Sequence, residues 1–300
     1  EHPEKRPFIS SACPSVVRLI QVRFPNLIEH LLPIAAPIEV AAAAARKKAM
    51  EKTGLPAEEI GIVFISPCPA KKTATKRPLG TSKSEVDAVV AIKEVYPPLI
   101  SLMKETVDET EEYTESGKIG VSWGGSGGEA GGLLTDSYLA ADGIENVIRV
   151  LEDLEDEKFS DLDFIELNAC SGGCVGGVLT VENPYVAKTK LKRLRKYLPV
   201  SCNHLGDKEC SESYWDDGIE YLPVFRLGSD INESFAKMAK VEELCAKFPG
   251  LDCGSCGAPT CKALAEDIVR GDAKERDCVH FLREYIHKLS DEFSMLDSRE

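Results

Sequence analysis

The chain has 300 residues, 43% of them apolar, enough for one large domain or two ordinary ones with a real core. Its 36 Lys and Arg stand against 50 Asp and Glu, a net charge of −14, which argues against nucleic acid or an anionic membrane as the main partner. The longest apolar stretch, around Ile34 to Ala45, is broken by Pro37 and Glu39, so no membrane span is expected. No apolar signal region follows Glu1 to Arg6, and the absence of a starting Met points to a processed or excised piece of something longer. The eleven cysteines are too sparse for a disulfide-stapled scaffold and too clustered for an ordinary cytosolic enzyme. Their odd count fits full pairing poorly, which leaves metal or redox chemistry.

In chain order, residues 13 to 52 read as helical, with Val16, Leu19, Ile20 and Phe24 at helical spacing and a break at Gly54 and Pro56. Gly61 to Ile65 is a continuous β-branched and aromatic run, expected as a buried parallel strand ending at Ser66-Pro67-Cys68. Residues 84 to 113 read as largely helical, interrupted at Pro97-Pro98, with a solvated acidic end at Asp108, Glu109, Glu111 and Glu112. Lys118 to Trp123 is a second strand candidate, followed by the glycine-rich stretch Gly124 to Gly132, a helical pattern, and a further helix over Asn146 to Leu154. Asp163 to Leu167 is a third strand leading to Cys170. Strands alternating with helices predict an α/β fold with a mostly parallel sheet, whose ligand crevice lies at the carboxyl ends of the strands, where Cys68 and Cys170 fall. Lys188 to Lys196 carries six Lys or Arg and reads as a solvated helix face, or as a docking patch for an acidic redox partner. Residues 201 to 232 read as a connection, and helices return from Ile231 to the end.

The strongest local pattern is Cys253-x2-Cys256-x4-Cys261-x16-Cys278. Four thiolates are the ligand set of a 4Fe–4S cluster, and close spacing lets one loop supply three of them. Structural zinc is the alternative, but zinc ribbons show two separated C-x2-C knuckles and this stretch has one. A second constellation is dispersed over Ser11-Ala12-Cys13-Pro14, Ser66-Pro67-Cys68-Pro69-Ala70-Lys71, and Asn168-Ala169-Cys170 to Cys174-Val175-Gly176-Gly177. Each cysteine alone reads as a core residue. Together, flanked by glycine and proline, they predict a second four-thiolate cluster, with Cys170 and Cys174 expected on one face of a helical turn. The loop around Gly124 lacks the Gly-Lys-Ser/Thr of a P-loop, so no nucleotide is expected.

The three dispersed segments resemble, in order and local spacing, the signature segments of the iron-only (FeFe) hydrogenase catalytic domain over about residues 8 to 200, and residues 240 to 280 resemble the small cluster domain of Rnf electron-transport and corrinoid iron–sulfur proteins. The resemblance implies two-lobed, mostly parallel sheets with flanking helices over residues 1–200, a connecting segment over 201–232, and a mainly helical four-cysteine domain with a C-terminal helix over 233–300. It implies an H-cluster, a 4Fe–4S cube joined to a di-iron CO/CN⁻ unit. Cys13, Cys68, Cys170 and Cys174 would hold the cube, Cys174 would be shared with the di-iron unit, and Lys71 would hydrogen-bond a cyanide. A second cube would sit on Cys253, Cys256, Cys261 and Cys278.

Departures from that family carry the functional expectation. The proton-relay cysteine is Ala12, a relay serine position is Leu32, and the usual Ser-Pro-Gln is Ala36-Pro37-Ile38. Two methionines beside the cluster are Ser66 and Asn168, and the third segment ends Gly176-Gly177-Val178-Leu179. The set is similar to the sensory branch of the family, in which a PAS or other signalling domain follows. The expectation is a hydrogen- or redox-sensing protein of low turnover, with H2 and protons as small ligands and a reducing, anaerobic cytoplasm as its home. The alternatives are a competent hydrogenase feeding a ferredoxin or partner subunit, and an electron-transfer or scaffold protein, like the eukaryotic iron–sulfur assembly factor, that carries cubes alone. Cys202 and Cys210 near His204 read as plain or redox-labile thiols, and Cys245 as core.

Overall fold

The computed structural model describes residues 6–103, 116–200, 213–222, 227–228, 230–252, 256, 258 and 260–297. The chain divides into two units, Glu1–Leu222 and Pro223–Glu300.

The first unit is mixed α/β. Its three-stranded sheet has β1 (Phe8–Ile9) and β4 (Tyr138–Asp142) on either side of β5 (Phe164–Asn168), all parallel, with Phe8 and Tyr138 both in register with Phe164. A second sheet pairs β2 (Val63–Ser66) in parallel with β3 (Ala88–Ala91), Val63 opposite Ala88. Helices α1 (Pro14–Arg23), α2 (Pro37–Thr53), α3 (Pro69–Lys76), α4 (Ile92–Met103), α5 (Lys118–Ser122), α6 (Ile144–Glu155) and α7 (Pro184–Leu194) connect and flank the strands. The core belongs to the larger sheet. Val16, Val17 and Ile20 of α1 and Val147 and Leu151 of α6 repeat at helical spacing and bury against Ile9, Ile165 and Leu167. Each such side chain contributes roughly 1.5–3 kcal/mol.

Several expectations change. The helical stretch over 13–52 is α1, a 3₁₀ turn at Pro25–His30 and α2, because Pro25, Pro33 and Pro37 each end or restart the helix. The strand before Cys68 is parallel but not buried. Val63 is 59% exposed and Ile65 50%, since a two-stranded sheet covers only one of its faces. Residues 84–113 contain β3, formed where β-branched Val89 and Val90 find a partner strand, and α4 runs through Pro97 and Pro98. The acidic end at 108–112 lies outside the described residues. Lys118 to Trp123 is not a strand. Gly120 offers a strand no side chain to pack, the Ser122 hydroxyl bonds back to Lys118 O at 2.6 Å, and the stretch closes as the short α5. The helical pattern expected after Gly132 is β4, whose Ala140-Ala141 carry a helix preference overridden by pairing with β5.

Residues 213–222 of the expected connection belong to the first unit, and its later described residues to the second. The Ala35 N–H donates to Ser213 O (2.7 Å), the Trp215 N–H to Pro33 O (3.0 Å) and the Leu222 N–H to Gln21 O (3.0 Å). In the second unit, α8 (Ile231–Lys247) is capped by Asp230 and α9 (Cys261–Arg270) by Thr260, and α10 spans Val279–Asp297. Val241, Leu244, Phe248, Leu264, Ala265 and Cys278 form its core, with Phe248 edge-on to Phe281 at 5.2 Å. No helix among the described residues is long and apolar enough to cross a membrane.

Candidate metal centre

Cys13 and Cys68 are placed by the same local rule. Each follows the carboxyl end of a parallel strand, precedes a proline and takes the N-cap position of the next helix, Cys13 on α1 and Cys68 on α3. Proline at the first helical position has no N–H to lose and a φ already set for the helix.

Cys170 and Cys174 follow β5, but not on a helical turn. Gly172 and Gly173 sit at φ 87° and 82°, the left-handed region open to glycine, and Cys174 begins a 3₁₀ turn ending at Gly176. The loop is pressed against both neighbouring segments. A Cβ on Gly173 would meet Ser126 N at 2.5 Å, and one on Gly177 would meet Pro67 O at 2.3 Å. The Val175 N–H donates to Gly124 O (2.8 Å), the Ser126 N–H to Gly172 O (3.2 Å) and the Leu179 N–H to Pro67 O (3.1 Å). The glycine-rich loop is thus a close-packed wall behind the cysteines rather than a phosphate cradle.

The four thiols share one locus. Burial pushes the Cys170 thiol up, the charges on Cys68, Cys13 and Cys174 push it further, and Lys71 opposes them. Burial also raises Cys174, against Lys71, with Cys13, Cys68 and Glu166 adding to the rise. Such thiols ionise together only when metal neutralises them. Among the described residues, no three His, Cys, Asp or Glu side chains converge tightly enough for a single ion. A zinc–sulfur distance of ~2.3 Å would need sulfurs only about 3.8 Å apart. Four thiolates are the ligand set of a 4Fe–4S cluster, so the chemistry of the donor set fits such a group.

The other expected site residues surround this locus. Lys71 is half-buried on α3, and its neighbour Lys72 is exposed. Lys71, Ala12, Ala36 and Ile38 line one cavity of about 30 Å³, with Leu79 and Trp215 on its far wall. Three of the positions that depart from the hydrogenase pattern therefore face one space beside the lysine. Ser66 is fully buried, and its hydroxyl both donates to Cys68 O and accepts the Cys68 N–H at 3.0 Å. Asn168 Nδ2 donates to Glu166 Oε1 at 2.8 Å.

Two carboxylates were missed by sequence reasoning. Glu166 is 2% exposed in the middle of β5, and Glu129 lies within the glycine-rich loop, accepting the Ser10 hydroxyl at 2.6 Å. The available signal was a lone charge inside Phe164-Ile165-Glu166-Leu167, since a glutamate in a buried strand must have a partner.

In the second unit, Cys256, Cys261 and Cys278 line one small cavity with Pro249, Thr260 and Leu264. Cys278 is buried just ahead of α10, and Asp252 Oδ1 accepts the Cys261 N–H at 2.7 Å. Cys253, Cys202, Cys210 and His204 lie outside the described residues. Cys245 packs against the second core. No described cysteine is in a disulfide.

Residues 1–136 and 126–178 match the family described as iron only hydrogenase large subunit, C-terminal domain, and residues 248–280 match that described as putative Fe-S cluster. Iron hydrogenase 1 of Clostridium pasteurianum is 23% identical over 255 residues, 69% of this chain and 44% of that protein. A probable cytosolic Fe–S cluster assembly factor of Caenorhabditis elegans is 24% identical over 220 residues, 57% of this chain and 48% of that protein. The chain thus spans less than half the length of either relative. An apo FeFe hydrogenase from Chlamydomonas reinhardtii superposes with a TM-score of 0.49 at 16% identity, covering 73% of this chain and 74% of that one.

Proposed function

The chain belongs to the family defined by the C-terminal domain of the iron-only hydrogenase large subunit, and on that premise we propose that it is a hydrogen- or redox-sensing iron–sulfur protein that turns over H2 slowly. Cys13, Cys68, Cys170 and Cys174 would hold a 4Fe–4S cube, with Cys174 shared to a di-iron CO/CN⁻ unit that supplies the H2 chemistry. Four thiols with an ammonium beside them suit this group: the thiolates would take the irons, and Lys71 would donate to a cyanide nitrogen. Cys253, Cys256, Cys261 and Cys278 would hold a second cube. Electrons or a signal would leave through it to a ferredoxin, a partner subunit or a signalling domain such as PAS.

One observation carries the low-turnover reading. At the cavity beside Lys71, the position of the proton-relay cysteine is Ala12, whose only polar hydrogen, its N–H, is already given to Ser10 Oγ at 3.1 Å. An alanine side chain cannot pass a proton, and losing one well-placed acid–base group costs a factor of ~10²–10⁴ in rate. Slow turnover suits a sensor, which must report the state of its site rather than consume the ligand. The test is H2 uptake and evolution by matured protein with and without Ala12→Cys. A gain on the order of 10² or more is expected, whereas an unmodified chain already as fast as catalytic family members supports the competent-hydrogenase alternative.

A further inference from the structure

Glu129 and Glu166 form a carboxylate pair behind the cysteine site, and the donors around them are unequal. Glu166 accepts the Gly127 N–H at 2.9 Å, the Ala130 N–H at 2.9 Å and the Asn168 side-chain amide at 2.8 Å. These three hydrogen bonds occupy its carboxylate oxygens. Because the Ala130 amide is one of the donors, Glu129 is held on the turn that wraps this carboxylate. Glu129 has one described donor, the Ser10 hydroxyl at 2.6 Å. Of two carboxylates so unequally supplied with donors, the one with fewer is the one placed to take a proton.

The pair is wired to the cysteine loop. Ser10 is 1% exposed, follows β1, and accepts the Ala12 N–H at 3.1 Å, directly ahead of Cys13. Lys71 acts on Glu129 from α3 and also on Cys170 and Cys174. Burial, the largest influence, lifts the Glu129 carboxyl to about 7, with Glu166 adding to the rise and the Ser10 hydrogen bond and Lys71 opposing it. The other elements packed on this turn are α5 and β4, with Lys118, Tyr138 and Asp142 as their titratable groups; Asp142 accepts the Gly172 N–H at 3.0 Å.

We propose that Glu129 is a redox-linked proton acceptor, binding one proton from solvent for each electron that enters the site of Cys13, Cys68, Cys170 and Cys174. The electron comes from an external one-electron reductant. The new O–H bond forms on Glu129 Oε2, whose hydrogen bond with Ser10 reverses so that Ser10 accepts. Glu166 keeps its three donors and takes no part in the transfer. Added negative charge at the thiolates makes Glu129 easier to protonate, and reciprocally its proton makes the site easier to reduce. Glu129 is a positioning residue for charge and does not touch the metal. The inference rests on the four-cysteine ligand reading above.

The test is the midpoint potential of the full chain, reconstituted with its clusters and titrated by electron paramagnetic resonance across neutral pH. The first-unit signal is identified as the one lost in Cys68→Ser. A tenfold change in the reduction equilibrium per pH unit is expected in the unmodified chain, about 59 mV for one electron, and none in Glu129→Gln. Ser10→Ala, which keeps the carboxyl and removes the donor to its charged form, should move the sloping range to higher pH. A flat potential in the unmodified chain, an unchanged slope in Glu129→Gln, or an unmoved range in Ser10→Ala overturns the inference alone. If no cluster signal depends on Cys68, the ligand reading fails and takes the inference with it.

Discussion

The two cysteine sites are built in opposite ways. The first collects its thiols from three distant segments, and nothing local holds them together. Two cap helices after parallel strands, and two sit on a loop that closes only because Gly173 and Gly177 let backbones touch. The second gathers Cys256, Cys261 and Cys278 within one short stretch, beside a core of a few helical residues. A dispersed site depends on the whole fold, whereas a local one depends on a loop and its metal. The first is therefore open to tuning by residues far away in sequence, such as Glu129, Trp215 and Ile38.

The largest expected break in this comparison comes from the ligands themselves. Cys68→Ser should remove about four of about eight irons and leave the second cube, and Cys278→Ser should do the reverse. Iron analysis with paramagnetic resonance reads both. A loss of all iron in either variant would mean that the sites are not independent.

The next effect separates fold from loop. Leu151→Ala empties a fully buried position between α6 and the larger sheet and should cost about 2–5 kcal/mol of first-unit stability. Its counterpart Leu244→Ala should destabilise only the second unit by a similar amount. Denaturant unfolding of the metal-free chain, followed at each unit, checks whether the losses stay separate.

A smaller effect sharpens the comparison through pH. The Glu129 carboxyl is raised from 4.5 to about 7 in the folded chain. Between those values the folded state holds the proton and the unfolded state does not. First-unit stability is therefore highest on the acid side and falls as pH rises through this window, by as much as about 3 kcal/mol. Glu129→Gln should flatten that dependence in urea unfolding of the metal-free chain. Second-unit unfolding should not change with the substitution.

Much of this was legible in the sequence, because period and turn chemistry act locally. The apolar repeat of α1 and the β5 run read directly from neighbouring residues. What failed was decided by partners far along the chain. Ala140-Ala141 became strand because β5 lay alongside, and Lys118 to Ser122 became helix where Gly120 left a strand nothing to pack. The exposure of Val63 and Ile65 depends on how many strands join β2, which no local pattern encodes. At the site, the cysteines stood out by residue type and spacing, and Lys71 through the family resemblance. The carboxylate pair did not, because the importance of Glu129 comes from Ser10 and Glu166, which reach it only in the fold.

The most direct measurement is an infrared spectrum of anaerobically matured protein, taken under argon and under H2. Bands of metal-bound CO and CN⁻ that shift under H2 are expected from a hydrogenase-type site next to Lys71. A matured chain that binds about eight irons and shows no such bands would contradict the hydrogen-sensing reading, leaving a two-cube electron-transfer or scaffold protein on a hydrogenase fold.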